Sequence, residues 1–402
     1  MRPCTCQSRA TVLRPISRPG LACMPVLRWR NMATMADRID EETLSDYKAS
    51  DYYPVKLGDV IRDEYTVKVK LGFGRHSTTW LCTDRTQAYK TLKILTAGYA
   101  QCREVRVFEH LRALSAGSNH QGRYCVRRPE DMFTIASADE ERHHQCLAFE
   151  PLGPSLLEFV GRRETKVFHI AEVRWMAIYV LNALDFLHSH QVVHADLKLD
   201  NLLLTLPEPG SEALESFLKA EQNHPSIAKY AADGHPVYES REMHQSELTY
   251  PIICDLGSAA VGQPPHTGLA QGLPYRAPEV MLGAEWSEKI DIWSTGVIIW
   301  ELVLGERLFG NSTDQYALDS MVRLMGPPPL EFLDRCARRQ DFFDEAGRWK
   351  FGEVLHQDLE ERVEVDEDLS QFFDFVRSML KWDARDRWSA AELLKHPWLR
   401  IE

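Results

Sequence analysis

Hydrophobic and polar positions follow a strand-like pattern shortly after residue 60. Residues 65–71, 78–83 and 88–94 are rich in β-branched and aromatic side chains and are separated by turn-forming residues. Such side chains favour a pleated surface, so the pattern predicts three successive β-strands. We expect them to pair as an antiparallel sheet, because the connections between them are short.

Helical spacing replaces the strand pattern after this sheet. In residues 101–114, Glu104, Phe108 and Leu111 fall on one face of a helix, which places a carboxylate on an otherwise apolar side. A carboxylate on a buried face is unfavourable unless a cation pairs with it, so the pattern indicates an ion pair at Glu104. A broader apolar stripe predicts a second helix over residues 170–189.

Composition and charge then limit the class of protein. The chain has 402 residues, of which 44% are hydrophobic and 26% charged, so it is long enough for two lobes with separate cores. Its formal net charge of −12 disfavours direct binding to nucleic acid or acidic membranes and favours basic partners. The apolar run at residues 290–304 is interrupted by polar side chains, which predicts a buried helix instead of a membrane span. The nine cysteines lack zinc-type or disulfide-type spacing, which favours a reducing compartment.

The first 36 residues differ in composition from the rest of the chain. They contain six arginines and no Asp or Glu, a composition that resembles a mitochondrial presequence. The arginines show no amphipathic helical period, so we favour a basic disordered tail, or an extension upstream of a chain that begins at Met32 or Met35. We expect a cytoplasmic and nuclear location, with the mitochondrion as the alternative.

An ordered set of polar residues indicates phosphoryl transfer. Residues 194–201 read His-Ala-Asp-Leu-Lys-Leu-Asp-Asn, and Asp255-Leu256-Gly257 follows much later. In this chemistry a carboxylate such as Asp196 accepts the proton of the substrate hydroxyl, and a nearby lysine such as Lys198 screens charge. Asn201 and Asp255 would share a metal ion, because Mg²⁺ prefers hard oxygen ligands.

A turn that carries glycines lies between the first two predicted strands. Residues 72–77 include Gly72 and Gly74, which let backbone amides approach phosphate oxygens without an intervening Cβ. Ser77 stands where a third glycine is usual in such turns, and its small side chain can still fit. The turn alone is weak evidence for a nucleotide site.

Two lysines of the third strand compete for contact with the phosphates. Lys90 and Lys93 are three residues apart and must face opposite sides of the sheet, because strand side chains alternate. We choose Lys90, since Ala88 would share its face and leave room for an adenine ring. Its predicted partner is Glu104, which would make the position of the helix a switch for activity.

A short connector and a long insertion complete the pattern. Residues 150–153 read Glu-Pro-Leu-Gly, and Pro151 has no amide hydrogen, so an adenine contact must use the Leu152 N–H and neighbouring carbonyls. About fifty residues separate Asn201 from Asp255 where a compact domain usually has a short connection. We predict that this insertion, residues 205–250, lies on the surface.

The chain from about residue 37 resembles a eukaryotic protein kinase, and it is most similar to the SR-protein kinases of the CMGC group. The resemblance rests on residues 71–74 with Ser77 and Trp80, residues 149–153, Asp255-Leu256-Gly257, and Arg276 before Ala277-Pro278-Glu279. It implies an α+β, bilobal fold, with a small antiparallel-sheet N-lobe and its N-terminal extension over residues 37–150 and a mainly helical C-lobe over residues 151–402.

The resemblance also implies roles for individual residues, with ATP and Mg²⁺ as cofactors and serine/threonine specificity from Lys198. The implied catalytic residues are Asp196, Lys198, Lys90 and Glu104, and the implied metal ligands are Asn201 and Asp255. The implied nucleotide-binding residues are Leu71, Gly72, Phe73, Gly74, Ser77, Lys90, Glu150, Leu152 and Leu203. Two supporting contacts are implied as well: an ion pair of Glu279 with Arg387, and anchoring of the catalytic loop by Asp291.

Three features depart from the kinase pattern: the residue at 195, the short segment 255–279 and the residue at 272. Ala195 replaces the arginine that grips a phosphorylated activation loop in many kinases, and Thr267 is one of few phosphorylatable residues there. We therefore expect activity without loop phosphorylation. Gly272 stands where relatives keep a threonine that braces the catalytic base, which would loosen substrate alignment. These departures keep a second hypothesis open, a pseudokinase scaffold that binds nucleotide or partners without turnover.

Substrate choice follows from the resemblance and from charge. The related kinases phosphorylate serines of Arg/Ser-rich proteins linked to mRNA splicing, and the acidic run at residues 358–368 could attract arginines. A solvated surface loop is the simpler interpretation of that run. A kinase-like enzyme acting on small molecules is a weaker alternative, because it would not need the peptide-supporting segment at residues 275–279. We expect a monomer.

Overall fold

The computed structural model describes most of the chain beyond residue 38. The described residues are 39–44, 47–98, 103–137, 141–207, 210–230, 234, 236–310, 312–356 and 367–400. The basic tail predicted over residues 1–36 lies outside them, and so do residues 358–366 of the acidic run.

The N-terminal part forms one antiparallel sheet of six strands. Their order across the sheet is β1-β2-β3-β4-β6-β5. The strands are β1 Val60–Ile61, β2 Tyr65–Gly74, β3 Ser77–Thr83, β4 Tyr89–Leu95, β5 Asp131–Ala136 and β6 His143–Phe149. The three strands predicted from hydrophobic patterning are therefore confirmed as β2, β3 and β4, and the glycine-bearing turn joins β2 to β3.

One helix, α1 (Arg103–Leu114), packs beside this sheet. Glu104, Phe108 and Leu111 are all buried, as the helical spacing predicted. The apolar members of this face join the core that continues into the C-terminal part. The helix therefore presents a carboxylate to the interface between the two parts of the molecule.

The C-terminal part is mainly helical and is built around two buried helices. These are α3 (Ile170–Ser189) and α6 (Lys289–Leu304), which pack on each other around Trp293 and Trp300. The other helices are α2 Leu156–Arg162, α4 Gly210–Asn223, α5 Pro278–Met281, α7 Asp314–Met325, α8 Leu330–Leu333, α9 Arg339–Phe342, α10 Glu367–Met379 and α11 Ala390–Leu393. Within the described ranges, no helix is both long and apolar enough to cross a membrane.

Two short strand pairs shape the edge of the C-terminal part that faces the sheet. Strand β7 (Val192–Val193) pairs with β12 (Ala260–Val261), and β8 (Leu202–Leu204) pairs with β11 (Pro251–Ile253). All these pairs are antiparallel, so the residue before β8 lies beside the residues after β11. The fold thereby brings residue 201 close to residue 255 despite the long insertion between them.

The insertion lies on the surface, as predicted, since most of its described residues are exposed or half-buried, but its apolar side chains pack against the N-terminal sheet. It contains α4 and a hairpin of β9 (Ala228–Tyr230) and β10 (Pro236–Tyr238). Leu214 and Phe217 of α4, with Met243, form a buried cluster with Val69 and Leu81 of the sheet. The physical reason is that the apolar stripe of α4 covers apolar side chains that would otherwise face water.

The same insertion also reaches the C-terminal lobe. Arg162 of α2 donates to the Met243 carbonyl at 2.7 Å and pairs with Glu242 at 2.6 Å. On the sheet side, the Arg241 amide donates to the Lys70 carbonyl at 3.0 Å. Residues 241–243 therefore join the two lobes beside the cleft.

Candidate active site

The loop after β7 is held in place by a buried carboxylate. Asp291 of α6 is fully buried and accepts hydrogen bonds from the amides of His194 and Ala195 at 2.8 and 2.9 Å. His188 contacts the same carboxylate at 2.9 Å. Ala195 has a φ of 61°, in the left-handed region that a residue with a Cβ rarely adopts. The two hydrogen bonds from the backbone amides to Asp291 stabilise this conformation. The predicted anchoring by Asp291 is confirmed.

The carboxylate of Asp196 follows this anchor and has two polar neighbours. Its Oδ2 lies 3.1 Å from the Lys198 ammonium, and its backbone carbonyl accepts the Asn201 side-chain amide at 2.8 Å. Asn201 is buried, whereas Asp196 keeps part of its surface exposed. The loop therefore presents an accessible carboxylate whose position is set by its own chain.

Asp255 belongs to the same hydrogen-bonded unit. The amide of Cys254 donates to the Asn201 carbonyl at 2.8 Å, and His194 contacts the Cys254 carbonyl at 3.0 Å. Asp255 itself has a φ of 63°, which turns its side chain out of the β11 direction. Two acidic residues far apart in the chain, Asp196 and Asp255, are thus held on neighbouring loops.

A lysine of the sheet connects α1 to Asp255. The ammonium of Lys93 lies 2.7 Å from Glu104 and 3.1 Å from Asp255, so one cation contacts both carboxylates. Burial opposes the charge on Lys93, but the two carboxylates outweigh it and raise the pKa of the lysine above its usual value. Burial likewise acts to raise the pKa of Asp255, yet Lys93 and the Gly257 amide reverse that effect and lower it. Lys93 therefore stays protonated and Asp255 ionised at neutral pH.

The prediction that Lys90 pairs with Glu104 is wrong. Lys90 contacts Glu130 at the surface, where their side chains are 20% and 40% exposed. Lys90 and Lys93 do face opposite sides of β4, as strand alternation predicts. The prediction favoured Lys90 because Ala88 precedes it by two residues. The residue that lies on the cleft face is instead Thr91, which precedes Lys93 by two residues. Lys90 is therefore neither a catalytic residue nor a nucleotide-binding residue of this site.

The sequence around Lys93 was consistent with a buried position but did not decide between the two lysines. Lys93 is flanked by Leu92 and Ile94, which are both buried, whereas Lys90 follows the polar turn at residues 84–87. A lysine in the middle of an apolar strand is more constrained than one near its start, because it must reach a partner from a buried backbone.

A cavity of about 310 Å³ lies under the glycine-bearing turn. Of the predicted nucleotide-binding residues, those that line it are Leu71, Gly72, Phe73, Leu152 and Leu203. Gly74 and Ser77 pair with each other at the tip of the turn and are not part of this lining. Arg241, Glu242 and Met243 of the insertion form another wall, which no sequence pattern indicated.

Two residues of the connector between the lobes, Leu152 and Gly153, line this cavity. The Glu150 carbonyl already accepts a hydrogen bond from Arg127 at 3.1 Å, and the Gly153 amide donates to Leu204 at 2.7 Å. Arg127 also lies over the Phe149 ring, at 4.5 Å from its centre. Leu152 is left as the connector residue positioned for a ligand, in keeping with the constraint that Pro151 imposes.

Comparison with known proteins agrees with this geometry. The model of the protein kinase domain family matches residues 65–399, which is most of the chain. The chain is a protein kinase. A phosphotransferase site is what the arrangement of Lys93, Asp196 and Asp255 suits chemically.

Proteins with similar sequences indicate to which group of protein kinases the chain belongs. The chain is 36% identical to a serine/threonine protein kinase of Aspergillus fumigatus, over 90% of this chain and 91% of that protein. It is 28% identical to the serine/threonine-protein kinase SRPK of Physarum polycephalum, over 90% and 91% respectively. It is also 28% identical to the human dual specificity protein kinase CLK4, over 86% and 68%. The kinase thus belongs with the SR-protein-kinase-like serine/threonine kinases of the CMGC group, as the motifs predicted.

A solved structure confirms the fold. The crystal structure of a kinase domain matches with a TM-score of 0.68 and 24% identity, and covers 88% of this chain and 100% of that one. The predicted α+β, bilobal architecture is therefore confirmed.

Protein kinases use ATP with Mg²⁺, and the oxygen donors of this kinase suit that ion. The Asn201 side chain donates through its nitrogen to Asp196, which leaves its amide oxygen for a ligand. Asp255 directs Oδ1 at Lys93 and Gly257, which leaves Oδ2. Across the described ranges, no cluster of three or more His, Cys, Asp or Glu could hold a metal alone. Magnesium would therefore need phosphate oxygens to complete its coordination.

A second cavity, of about 700 Å³, reaches Asp196 from residues 255–279, the activation segment of the kinase. Gly272 lines it, and a Cβ at this position would lie 3.9 Å from the Asp196 carboxylate. The prediction that residue 272 lies beside Asp196 is therefore confirmed. Because glycine has no side chain, it leaves room there for a substrate hydroxyl but gives no brace.

Gln271 braces the activation segment, a role that no sequence pattern predicted. Its buried side chain contacts the Tyr275 and Ile290 carbonyls at 3.1 and 2.8 Å, and accepts the Ala277 amide at 3.0 Å. The backbone amide of Gln271 donates to the Ala195 carbonyl at 2.8 Å. The segment is therefore tied to the catalytic loop without a phosphate. A lone glutamine gives no motif signal, because its role depends on contacts distant in the chain.

The end of the segment is held by a buried ion pair. Arg387 donates to both oxygens of Glu279 at 2.7 and 2.6 Å, and both side chains are almost fully buried. The guanidinium also donates to the Lys381 and Lys289 carbonyls at 3.0 Å each, so most of its donors are satisfied. The ion pair predicted from the resemblance is confirmed.

Proposed function

We propose that this kinase transfers the γ-phosphate of ATP to serine and threonine hydroxyls of Arg/Ser-rich proteins linked to mRNA splicing. The observation that carries the catalytic part is the continuous set of contacts from Glu104 through Lys93 to Asp255, beside the unit of Asp196, Lys198 and Asn201. The groups that phosphoryl transfer needs therefore meet in one cleft, Lys93 and Glu104 from the N-terminal part and the others from the C-terminal part.

In this proposal the residues have distinct tasks. Asp196 orients the substrate hydroxyl and accepts its proton, and Lys198 offsets the negative charge that develops beside it. Lys93 holds the α- and β-phosphates, and Glu104 holds Lys93. Asn201 and Asp255 supply the protein oxygens for magnesium, which neutralises phosphate charge when it is bound. Because positioning dominates this chemistry, removal of the Asp196 carboxylate should affect turnover more than nucleotide affinity.

The proposed preference for basic substrates rests on the net charge of the chain and on its similarity to SR-protein kinases. The chain carries a formal net charge of −12, which attracts arginine-rich segments over a distance of about a Debye length, roughly 8 Å at physiological salt. The resemblance to SR-protein kinases points to the same substrate class. If the acidic run at residues 358–368 is a docking site, replacement of its acids by Ser or Gln should raise the KM for a basic peptide, and an unchanged KM would refute docking at this run.

An arrayed peptide library tests the substrate class directly. The kinase should incorporate phosphate from Mg²⁺-ATP into serine peptides flanked by arginine, and Asp196→Asn should not. A single-turnover assay of the wild-type chain separates catalysis from the pseudokinase alternative, which predicts nucleotide binding without product. Acid hydrolysis of the product identifies phosphoserine, whereas a labelled small molecule would indicate the other phosphotransferase class.

The proposal includes activity without loop phosphorylation. Gln271 already ties the activation segment to Ala195, the position where many kinases have a phosphate-gripping arginine. Phosphatase treatment of the purified kinase should leave its turnover intact, and a loss of turnover would refute this part. We also propose a monomer in the cytoplasm and nucleus. Sedimentation and imaging of a tagged full-length chain test both statements, and import into mitochondria would contradict the second.

A further inference from the structure

A tyrosine outside the kinase domain contacts the tip of the glycine-bearing turn. Tyr52 precedes the matched region, residues 65–399, yet its hydroxyl lies 3.1 Å from the carbonyl oxygens of both Gly74 and Arg75. The residue is 5% exposed, so water competes little for this hydroxyl. The turn between β2 and β3 is therefore held from outside the sheet by a side chain of the preceding segment.

The hydroxyl can only act here as a donor. Carbonyl oxygens accept hydrogen bonds, and a phenol donates while it keeps its proton. Burial, with smaller effects of Glu41 and Asp51, raises the pKa of Tyr52 to about 12. The phenol is therefore protonated throughout the physiological range.

The peptide geometry gives this contact a consequence for the cleft. In a trans peptide the C=O and N–H groups point in opposite directions. The carbonyls of Gly74 and Arg75 share their peptide planes with the amides of Arg75 and His76. Because Tyr52 holds both carbonyls on its own side, it turns both amides the opposite way. Amides of such a turn are the groups that meet phosphate oxygens.

The segment that carries Tyr52 is itself anchored. The Asp51 carbonyl accepts the Ala97 amide at 2.7 Å, and the Tyr52 ring lies 5.1 Å from that of Tyr47. Further back, Glu41 forms a buried ion pair with Lys70 of β2, at the base of the same turn. The segment therefore contacts both the base and the tip of the turn, and Tyr52 is supported well enough to act as a brace.

We propose that Tyr52 is a positioning residue that orients the amides of the β2–β3 turn toward the phosphates of ATP. The proposal rests on the function proposed above, since it assumes that the nucleotide binds beneath this turn. It extends the functional unit beyond the kinase domain to the segment that precedes it.

The substitution Tyr52→Phe tests this role, because it removes the hydroxyl and keeps the ring. The loss of a neutral hydrogen bond should raise the KM for ATP about three- to tenfold. The KM for peptide should stay within about twofold of wild type, because the substrate does not contact the turn through Tyr52. Hydrogen exchange of the amides at residues 74–77 should become faster in the same variant.

Tyr53→Phe is the matched control. Tyr53 is the neighbouring tyrosine, and its ring packs edge-on to His144 at 5.4 Å, away from the turn. This variant should keep the wild-type KM for ATP. Equal KM values for ATP in wild type and Tyr52→Phe would overturn the proposal. So would a Tyr52→Phe variant whose KM values for ATP and peptide rise together with a fall in its thermal midpoint, since that indicates a merely structural role. Failure of the wild-type chain to bind ATP would instead refute the proposed function.

Discussion

Substitution of Lys93 by methionine should show which of the two β4 lysines, Lys90 or Lys93, is needed for catalysis. Lys93→Met keeps a long side chain but removes the cation between Glu104 and Asp255. A hydrogen bond to a charged group contributes about 1.5–3 kcal/mol, so loss of one phosphate contact alone should lower kcat/KM about 10- to 150-fold. The loss should be larger if Asp255 moves when its cation is removed.

The same substitution should also lower stability, with a defined pH dependence. Glu104 is 3% exposed, and leaving a buried charge without its partner costs about 3–5 kcal/mol. Without Lys93, burial raises the folded-state pKa of Glu104 above its unfolded value still further. The variant should therefore be least destabilised below the unfolded pKa of Glu104 and lose stability as the pH rises through the folded pKa. Lys93→Met with Glu104→Gln should recover part of that stability but none of the activity.

Lys90→Met is the control for this experiment, because it is the same change in the same strand. The Lys90–Glu130 pair is partly exposed, and such pairs contribute about 0–1 kcal/mol. Steady-state kinetics at saturating peptide, with urea denaturation monitored by fluorescence, should show near wild-type values for Lys90→Met. An inactive Lys90→Met variant beside an active Lys93→Met variant would refute the assignment of the cleft-facing lysine.

Three further substitutions test the rest of the site. Asp196→Asn should lower kcat about 10²- to 10⁴-fold while the Kd for ATP, measured by fluorescent nucleotide titration, stays within a factor of about three; a comparable loss of affinity would contradict the proposed base. Arg387→Ala leaves Glu279 buried without a partner and should destabilise the C-terminal lobe by about 3–5 kcal/mol in urea unfolding, with Arg387→Lys intermediate; an unchanged midpoint would show that the pair is dispensable. Thr267→Ala should keep wild-type turnover in a peptide assay, and a severe loss would mean that phosphorylation of this residue is required.

Local signals were sufficient to predict the elements that carry the site. Strand β2 and helix α3 could be predicted because their hydrophobic periods are properties of short segments. The order of Asp196, Lys198, Asn201 and Asp255 also indicated phosphoryl transfer, because each residue type has its own chemistry. The contacts of Asp291 and Arg387 followed from the resemblance and were then observed.

Signals that depend on distant parts of the chain could not be read in advance. Alternation along β4 showed that only one of Lys90 and Lys93 faces the cleft, but not which one. That choice is made by α1, which packs on one face of the sheet and brings Glu104 to Lys93. Gln271 likewise has no local pattern, since its partners lie on the catalytic loop and on α6.

The sequence by itself determined the chemistry of this protein: which acids, amides and cations are available, and in which order they occur. The tertiary structure alone decided which lysine serves the cleft, where the insertion packs, and which tyrosine supports the β2–β3 turn. The physical reason is that residue identity and strand or helix period are local, whereas burial depends on which surface another element covers. A side chain acquires its partner only when that covering element is in place.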